Sequence, residues 1–480
     1  MHKEDQIILA DRTYATPDAI DAIFQQLDKV SKSRIAMGLD PVISLCVGEP
    51  HLPINKEVLT DLIAYLGQKE TASQFQYSSP AGCPETLAAI KKLYQVYYPS
   101  VEYNEDEVMI SSGATQGLWN AFNVLVNPGD SVVAFTPFYP TYKVHTEAVG
   151  GKFIALPYLS HYLPNLDELK ATLTHNKVKL LILNFPNNPS GVDLNQDILR
   201  ELCTILNQHP EVAIIIDDVY RELTVKPHLT ILDIDPSFKN RTVVINSASK
   251  GLIGAPNMRI GMIAAGAKLI AAMATKQATE ICSVSSLTQQ ALIAAVNSKI
   301  NCSPSYEEWI VKAKLAYQEN TNLVSNALDK LGCQSFYGGN GFYLLVDFSH
   351  LLNCHIPNTI TFTQHNKVIK DMHNKIGADT FSSDVEIAAY LLHAAGVATI
   401  PASGFGIDSK QGILRFSCAK DTALLLQAIE NISVAMQEVS RVNKLVNKRT
   451  EIYSGTRFFP KEQPSAKENK TISANLELVT

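Results

Sequence analysis

The sequence predicts an α/β protein with a mostly parallel sheet and a second, smaller α+β domain. Between Glu107 and Gly266, short apolar segments alternate with helical ones across turn residues. This alternation is typical of parallel strands connected by helices. From about residue 300 the pattern changes to one long helical segment and a few short strands. A chain of 480 residues is long enough for two domains with substantial cores.

The composition excludes several classes of protein. Hydrophobic residues make up 46% of the chain and charged residues 18%, as in ordinary globular proteins. The net charge of −6 gives no electrostatic reason to expect nucleic acid or membrane partners. The N-terminus lacks a signal-peptide pattern, and no apolar run is long enough to span a bilayer. The eight scattered cysteines show neither metal-ligand nor redox spacing, so we expect reduced thiols, no metal and a cytoplasmic protein.

The first 54 residues are expected to form an N-terminal arm and part of the small domain. A helix is predicted at Pro17–Lys32, followed by a strand at Val42–Val47 that ends in Gly48. Glycine at that position allows a ligand to approach the backbone closely.

Residues 55–300 are expected to form the large domain. Helices are predicted at Lys56–Gly67 and Pro84–Tyr98, with Tyr77 in the loop between them. The predicted strands are Val108–Ser111, Ser131–Phe135, Val178–Leu183, Val212–Ile216, Thr242–Asn246 and Met258–Met262. In such sheets, ligands bind beyond the carboxyl ends of the strands. The residues at or just after those ends should therefore meet on one rim: Gly113, Asn184, Asp217 and Ser247.

Residues 301–447 are expected to form the small domain. It should begin with a long helix at Ser305–Leu331 and end with a strand at Gly412–Ser417 and a helix at Thr422–Val442. The polar segment 349–381 has the character of an insertion, and the patternless residues 448–480 that of a disordered tail.

Lys250 is the candidate catalytic residue around which the chain is organised. It follows a β-branched strand, inside the stretch Ser247–Gly261. Hydroxyls at Ser247 and Ser249 and the guanidinium of Arg259 are suitable phosphate-binding groups. An amine beside a phosphate site suggests a Schiff-base lysine, whose carbonyl partner is commonly pyridoxal phosphate. On these residues alone, a solvated Ser-Lys loop is the better explanation.

The rest of the chain changes that balance, because its motifs appear in the order of a known family. The chain resembles fold-type I pyridoxal-phosphate enzymes of the class I/II aminotransferase family over roughly residues 15–445, which implies a seven-stranded type of large-domain sheet. The matching motifs are Gly48-Glu-Pro, Tyr77 with Gly82, Gly113-Ala-Thr-Gln, Pro137-Phe-Tyr-Pro-Thr-Tyr142, Asn184-Phe-Pro-Asn-Asn-Pro-Ser-Gly191, Asp217-Asp-Val-Tyr220, Ser247-Ala-Ser-Lys250, Arg259 and Arg415.

The resemblance implies roles for the residues around the cofactor ring. Asp217 is expected to hold the proton on the pyridine nitrogen, although an Asp at a strand end is often only a helix cap. Asn188 and Tyr220 are expected to hydrogen-bond the ring hydroxyl, while Asn188 also lies in an ordinary turn sequence. Tyr139 matches the aromatic residue that stacks on the ring, with a core aromatic as the alternative.

The resemblance also implies a phosphate site and a substrate site. Phosphate is expected at the helix start formed by Gly113, Ala114 and Thr115, with Ser247 and Arg259 completing the site. Tyr77 is expected to reach it from the second subunit of a homodimer. Arg415 is the candidate for the substrate α-carboxylate, because its planar fork suits that group, and Gly48 and Asn188 are expected beside it.

Two departures from the family pattern affect these expectations. One extra residue separates Lys250 from Arg259, so the loop must bulge or Arg259 must lie elsewhere. Thr115 stands where one bacterial branch of aspartate-using enzymes has a lysine for the distal carboxylate. We therefore hypothesise a neutral or aromatic amino donor with a 2-oxoacid acceptor.

The expected activity is a ping-pong transfer of an α-amino group from an amino acid to a 2-oxoacid. Lys250 would be the general base and acid, with Asp217 and Tyr220 as the other catalytic residues. A β-eliminating lyase or an amino-acid synthase of the same fold remains an alternative. A non-catalytic sensor that binds pyridoxal phosphate is a weaker alternative.

Overall fold

The computed structural model describes residues 19–68, 75–357 and 379–455. The predicted arm before residue 19, most of the predicted insertion and the tail beyond residue 455 lie outside these ranges. In the part of the chain that is described, no helix is both long and apolar enough to cross a membrane. All eight cysteines lie in the described part and are free thiols.

The described strands form three sheets. They are β1 (Ile43–Ser44), β2 (Val108–Ser112), β3 (Ser131–Phe135), β4 (Lys152–Leu156), β5 (Val178–Leu183), β6 (Ala213–Asp217), β7 (Thr242–Ser247), β8 (Ile260–Ala264), β9 (Gln334–Phe336), β10 (Tyr343–Asp347), β11 (Val397–Ala398), β12 (Ile400–Pro401) and β13 (Ile413–Ser417). The largest sheet has seven strands in the order β2-β8-β7-β6-β5-β3-β4. Only β8 runs antiparallel to its neighbours, so the predicted mostly parallel sheet is confirmed.

Helices cover both faces of this sheet and build the small domain. They are α1 (Ala19–Ala36), α2 (Lys56–Leu66), α3 (Pro84–Tyr97), α4 (Ala114–Leu125), α5 (Thr141–Ala148), α6 (Leu166–His175), α7 (Gln196–Asn207), α8 (Ile231–Ile234), α9 (Ala267–Ile281), α10 (Ser286–Ile300), α11 (Pro304–Asp329), α12 (Asp384–Ala394) and α13 (Thr422–Gly455). Helix α13 continues past residue 448, where the sequence predicted the tail to begin. The predicted strand at Val42–Val47 is shorter, since only β1 pairs with β11.

The buried apolar residues fall into separate large-domain and small-domain cores. The small-domain core includes Ile23 of α1 and Leu45 after β1, so the described residues before position 54 contribute to it. Helix α11 serves both cores, because Tyr306 packs in the large domain and Leu328 in the small one. The predicted boundary at residue 301 therefore falls just before a helix that joins the two domains.

The sheet places the candidate residues together. Strands β5, β6 and β7 are parallel neighbours, so their carboxyl ends lie side by side. Helix α4 begins directly after β2, which pairs with β8 at the same sheet edge. One cavity is lined by residues from these ends, including Asn184, Asp217 and Ser247. Three of the four residues predicted to meet on this rim therefore border one cavity, whereas Gly113 is not part of its lining.

Candidate active site

Lys250 lies on a wide helical turn immediately after β7. The turn Ala248–Leu252 is π-helical, and the backbone N–H groups of Ile253 and Gly254 both donate to the carbonyl of Ala248. A π turn accommodates one more residue than an α-helical turn, which is consistent with the extra residue in this loop. The Lys250 Nζ donates a hydrogen bond to the carbonyl oxygen of Gly48. Burial and the nearby Arg415 guanidinium lower the pKa of Lys250 to about 8.

Asp217 is the last residue of β6, and only one of its two carboxylate oxygens accepts a hydrogen bond from the described residues. Tyr142 donates its hydroxyl proton to Oδ2 at 2.5 Å. Oδ1 is buried and has no hydrogen-bond partner among the described residues. Burial raises the pKa of Asp217 to about 6, although the hydrogen bond from Tyr142 opposes that shift. A buried acceptor without a partner is energetically unfavourable, so Oδ1 fits a ligand that carries an N–H donor.

A set of amide contacts connects Asp217 with the loop after β5. Asn184 Nδ2 donates to the backbone carbonyl of Asp217 at 2.9 Å, and its Oδ1 accepts from the backbone N–H of Asn188 at 3.0 Å. Asn188 is 5% exposed and contributes to the wall of the cavity. Asn188 therefore lies in a turn, as its sequence indicates, and also borders the cavity.

Arg415 on β13 completes the opposite wall. Its Nη1 donates to Asn188 Oδ1 at 3.1 Å, and its Nη2 donates to the carbonyl of Cys46. Its Nε is buried without a partner among the described residues. The guanidinium carbon lies 4.5 Å from the ring centre of Tyr343 and 4.9 Å from that of Phe405. Arg415 is thus a fixed, buried cation whose position suits a carboxylate ligand.

Helix α4 presents its N-terminus to the cavity beside Arg259. Gly113 caps the helix with φ of 83°, and a Cβ there would overlap the Arg259 guanidinium. Glycine is required at this position because the guanidinium approaches the backbone so closely. Arg259 donates to the carbonyls of Pro256 at 3.1 Å and Ser112 at 3.4 Å. A helix N-terminus with an adjacent guanidinium is a suitable anion site.

Ser247 also contacts this region, but its hydroxyl already has backbone partners. It donates to the carbonyl of Ile260 at 3.0 Å and accepts from the backbone N–H of Ser249 at 3.1 Å. Both serines line the cavity. A phosphate oxygen accepts hydrogen bonds, so Ser247 takes the expected phosphate role only if its hydroxyl rotates away from the carbonyl of Ile260 and donates to the phosphate instead.

Nearly all of the predicted site residues border one cavity of about 560 Å³. Lining it are Gly48, Ala114, Thr115, Tyr139, Asn188, Asp217, Tyr220, Ser247, Lys250, Arg259 and Arg415. Gly113 lies behind the lining, and Tyr77 lies away from it with 87% of its surface exposed. Gly113 caps helix α4. Its expected part in the phosphate site and the expected action of Tyr77 on a second subunit both stay predictions.

The sequence reasoning gave no role to Tyr142 or Tyr343. Tyr142 lies three residues after Tyr139, and the two rings pack edge to face with centres 5.6 Å apart. Tyr139 precedes helix α5 and Tyr142 lies in its first turn, so helical spacing could not have revealed this contact. The Tyr343 hydroxyl lies 3.1 Å from that of Tyr220. It reaches the site because β10 pairs with β13, and local sequence does not reveal that pairing.

The chain is similar to known proteins over most of its length. The sequence profile of the family described as aminotransferase class I and II matches residues 40–432. An aspartate aminotransferase of Rhizobium meliloti is 30% identical over 407 residues, covering 83% of this chain and 90% of that protein. A probable kynurenine–oxoglutarate transaminase of Saccharomyces cerevisiae is 27% identical over 377 residues, covering 75% of this chain and 80% of that protein.

A solved structure shows the same similarity in three dimensions. The crystal structure of the aspartate aminotransferase from Rhizobium meliloti superposes with a TM-score of 0.76 at 25% sequence identity. The superposition covers 90% of this chain and 99% of that one. The fold described above is therefore shared with that protein over most of both chains.

Proposed function

The chain belongs to the class I and II aminotransferase family and is an aminotransferase, and we propose that it uses pyridoxal 5′-phosphate to transfer an α-amino group to a 2-oxoacid. One observation carries the proposal. A single cavity contains the Lys250 amine, the Asp217 carboxylate with a free Oδ1 and the Arg415 guanidinium. Those are a nucleophile, a partner for a ring N–H and a carboxylate-binding group.

The residues present fit this cofactor. Asp217 Oδ1 is a buried acceptor without a partner among the described residues, as a protonated pyridine nitrogen requires. The N-terminus of α4 and Arg259 offer donors for a phosphate, and Tyr139 offers a ring face. We infer that Asn188 and Tyr220 hold the ring hydroxyl. When bound, the cofactor supplies an electron sink for the substrate's α-carbon.

The protein's own residues supply positioning and proton transfer. Arg415 binds the substrate α-carboxylate, assisted by Asn188 and the backbone of Gly48. Lys250 carries the proton to and from the substrate α-carbon as general base and acid. Its pKa of about 8 suits that role, because a substantial fraction of the amine is neutral near physiological pH. After the first product leaves, the second substrate follows the same path in reverse, which gives ping-pong kinetics.

The cavity wall favours a neutral or aromatic donor. Among the described residues, the only cationic side chains that line it are Lys250, Arg259 and Arg415, and each has another role. Thr115 offers a hydroxyl instead of a cation. The remaining wall includes the apolar side chains of Phe24, Ile400 and Phe405. This chain's cavity therefore resembles the site of an enzyme for large uncharged donors more than that of a dicarboxylate specialist.

We further propose a homodimer in the cytoplasm. Helix α2 exposes Leu59, Ile63 and Leu66 along one face, and Ile63 is 70% exposed. Tyr77 lies beyond the end of this helix and is also exposed. A contiguous apolar face of this kind marks an interaction surface, and a second copy would bring Tyr77 to the partner's phosphate site. Eight free thiols are consistent with a reducing compartment.

An absorbance experiment tests the proposed function. The purified protein is loaded with pyridoxal phosphate, and single amino acids are added without an acceptor. We expect a visible band that bleaches, most effectively with neutral or aromatic amino acids. Steady release of pyruvate and ammonia would favour a β-eliminating lyase. A product that needs no acceptor would favour a synthase, and a band that no amino acid changes would favour a non-catalytic sensor.

A further inference from the structure

Tyr343 contacts both Tyr220, a candidate cofactor-binding residue, and Arg415, the candidate carboxylate-binding residue. Its hydroxyl lies 3.1 Å from the hydroxyl of Tyr220, and its ring lies against the guanidinium of Arg415 at 4.5 Å. We propose that Tyr343 is a positioning residue with two separable effects. The ring holds Arg415 for the substrate carboxylate, and the hydroxyl strengthens Tyr220 as a donor to the cofactor's ring oxygen. This inference rests on the proposed cofactor.

Sheet register places the ring next to Arg415. Strands β10 and β13 are antiparallel, with Tyr343 opposite Ser417 and Leu345 opposite Arg415. Residues two apart on a strand share a face, so Tyr343 and Arg415 are diagonal neighbours on the same side of the sheet. Both side chains are almost fully buried. A buried ring face in contact with a guanidinium contributes a cation–π attraction and excludes water from one side of the cation.

The hydroxyl of Tyr343 lies against the backbone of Gly48 at the wall of the cavity. Tyr343 lines the cavity, and a Cβ at Gly48 would overlap its hydroxyl. The carbonyl of the same glycine accepts the hydrogen bond from Lys250. The Tyr343 hydroxyl and the Lys250 amine therefore both contact the backbone of Gly48. Because the hydroxyl occupies the space of a Cβ, residue 48 must be glycine.

The direction of the hydrogen bonds follows from proton counting. Each phenol carries one proton, and burial raises the pKa of both Tyr220 and Tyr343, so both are protonated at neutral pH. If Tyr220 donates its proton to the cofactor, its oxygen must accept the proton of Tyr343. Consecutive hydrogen bonds of this kind strengthen one another. Loss of the Tyr343 hydroxyl should therefore weaken the bond that Tyr220 makes.

The variant Tyr343→Phe tests the hydroxyl, because it keeps the ring. The readout is the pH titration of the bound cofactor's visible band. We expect the apparent pKa of that band to rise by about half a unit to one unit, the effect of one weakened hydrogen bond. The KM for the amino donor should stay within about twofold, since the ring beside Arg415 remains. An unchanged band pKa would overturn the role given to the hydroxyl.

The variant Tyr343→Leu tests the ring. We expect the KM for the donor to rise roughly threefold to thirtyfold beyond that of the Phe variant, which is the range for a lost cation–π contact. A KM equal to that of the Phe variant would overturn the role given to the ring. Far-UV circular dichroism and the midpoint of thermal unfolding establish that each variant is folded.

Tyr390→Phe is the matched control. It removes the hydroxyl of another buried tyrosine, which donates to the carbonyl of Ala435 at 3.0 Å within the small-domain core. It should leave both the band pKa and the KM unchanged. Failure of the proposed cofactor would be seen separately, because the unmodified protein would then develop no visible band with added pyridoxal phosphate.

Discussion

Arg415 Nη1 donates a 3.1 Å hydrogen bond to Asn188 Oδ1, and this bond connects the small domain to the large one. Asn188 is in turn fixed by Asn184, which also contacts the backbone of Asp217. A continuous path of hydrogen bonds therefore runs from the candidate carboxylate-binding group to the candidate partner of the cofactor ring. Because every member of the path is buried, the two ends of the site keep a fixed relative position.

Replacing Arg415 by lysine should reduce kcat/KM for amino donors by about a hundredfold to a thousandfold. Lysine keeps the charge but cannot bind a carboxylate with two parallel bonds, and it leaves Asn188 without its partner. The rate of bleaching of the visible band, measured by stopped flow, gives the value directly. Arg441→Lys is a control, because Arg441 pairs with Glu438 on the surface of α13. A loss of less than about threefold would contradict the assigned role of Arg415.

Replacing Asp217 by asparagine should remove a pH dependence of cofactor binding. Burial raises the pKa of Asp217 to about 6, so the carboxylate becomes protonated as the pH falls through that value. A neutral carboxyl holds a protonated ring nitrogen less well, and affinity for pyridoxal phosphate should therefore decrease below about pH 6. The cofactor's phosphate titrates near the same pH, so the difference between the protein and its Asn variant is the informative quantity. Spectrophotometric titration of the apoprotein between pH 5 and pH 8 measures it. If affinity for pyridoxal phosphate changes with pH in the same way in the unmodified protein and in the Asn variant, this role for Asp217 is contradicted.

Much of this site could be predicted from the sequence, because it lies at strand ends. Asn184, Asp217 and Ser247 lie at the ends of apolar segments that are typical of buried parallel strands, and such strands end on one rim. Tyr343 could not be found in this way. Its contact with Arg415 depends on the register of two strands separated by 65 or more residues of chain, and no local pattern specifies that register. The sequence also did not predict that α11 packs against both cores, since an apolar helical face does not indicate which core it packs against.

His228 should make the stability of the protein dependent on pH. Its Nδ1 lies 2.7 Å from Asp193 and its Nε2 lies 3.0 Å from Asp218, which Arg221 also contacts at 2.6 Å. The Asp218 and Asp193 carboxylates outweigh the effect of burial and raise the pKa of His228 to about 9. Because this folded-state pKa exceeds the unfolded value of about 6.5, the stabilisation is fully present below pH 6.5 and is lost as the pH rises through 9.

The variant His228→Gln isolates that contribution. Between pH 6.5 and pH 9 the midpoint of thermal unfolding should fall by roughly 2–4 °C more in the unmodified protein than in the variant. The comparison cancels Lys250, whose lowered pKa affects both proteins equally. His209→Gln serves as a control, because in the described part of the chain its ring pairs with a single carboxylate, that of Glu211 at 3.6 Å. If the midpoint of thermal unfolding falls equally between pH 6.5 and pH 9 in the unmodified protein and in the His228 variant, the ion-pair assignment is contradicted.

Thr115 provides the most direct test of donor preference. It is exposed at the start of α4 and lines the cavity, so a longer side chain there can reach a bound substrate. Thr115→Lys adds a cation for a distal carboxylate, and the ratio of kcat/KM for aspartate to that for phenylalanine should rise roughly fivefold, as for one partly exposed ion pair. Thr115→Met, of similar length but uncharged, should leave the ratio unchanged. If the unmodified protein already prefers aspartate strongly, its dicarboxylate site must include a cation other than those lining the described cavity. The neutral or aromatic donor hypothesis would then be wrong even though the aminotransferase chemistry stands.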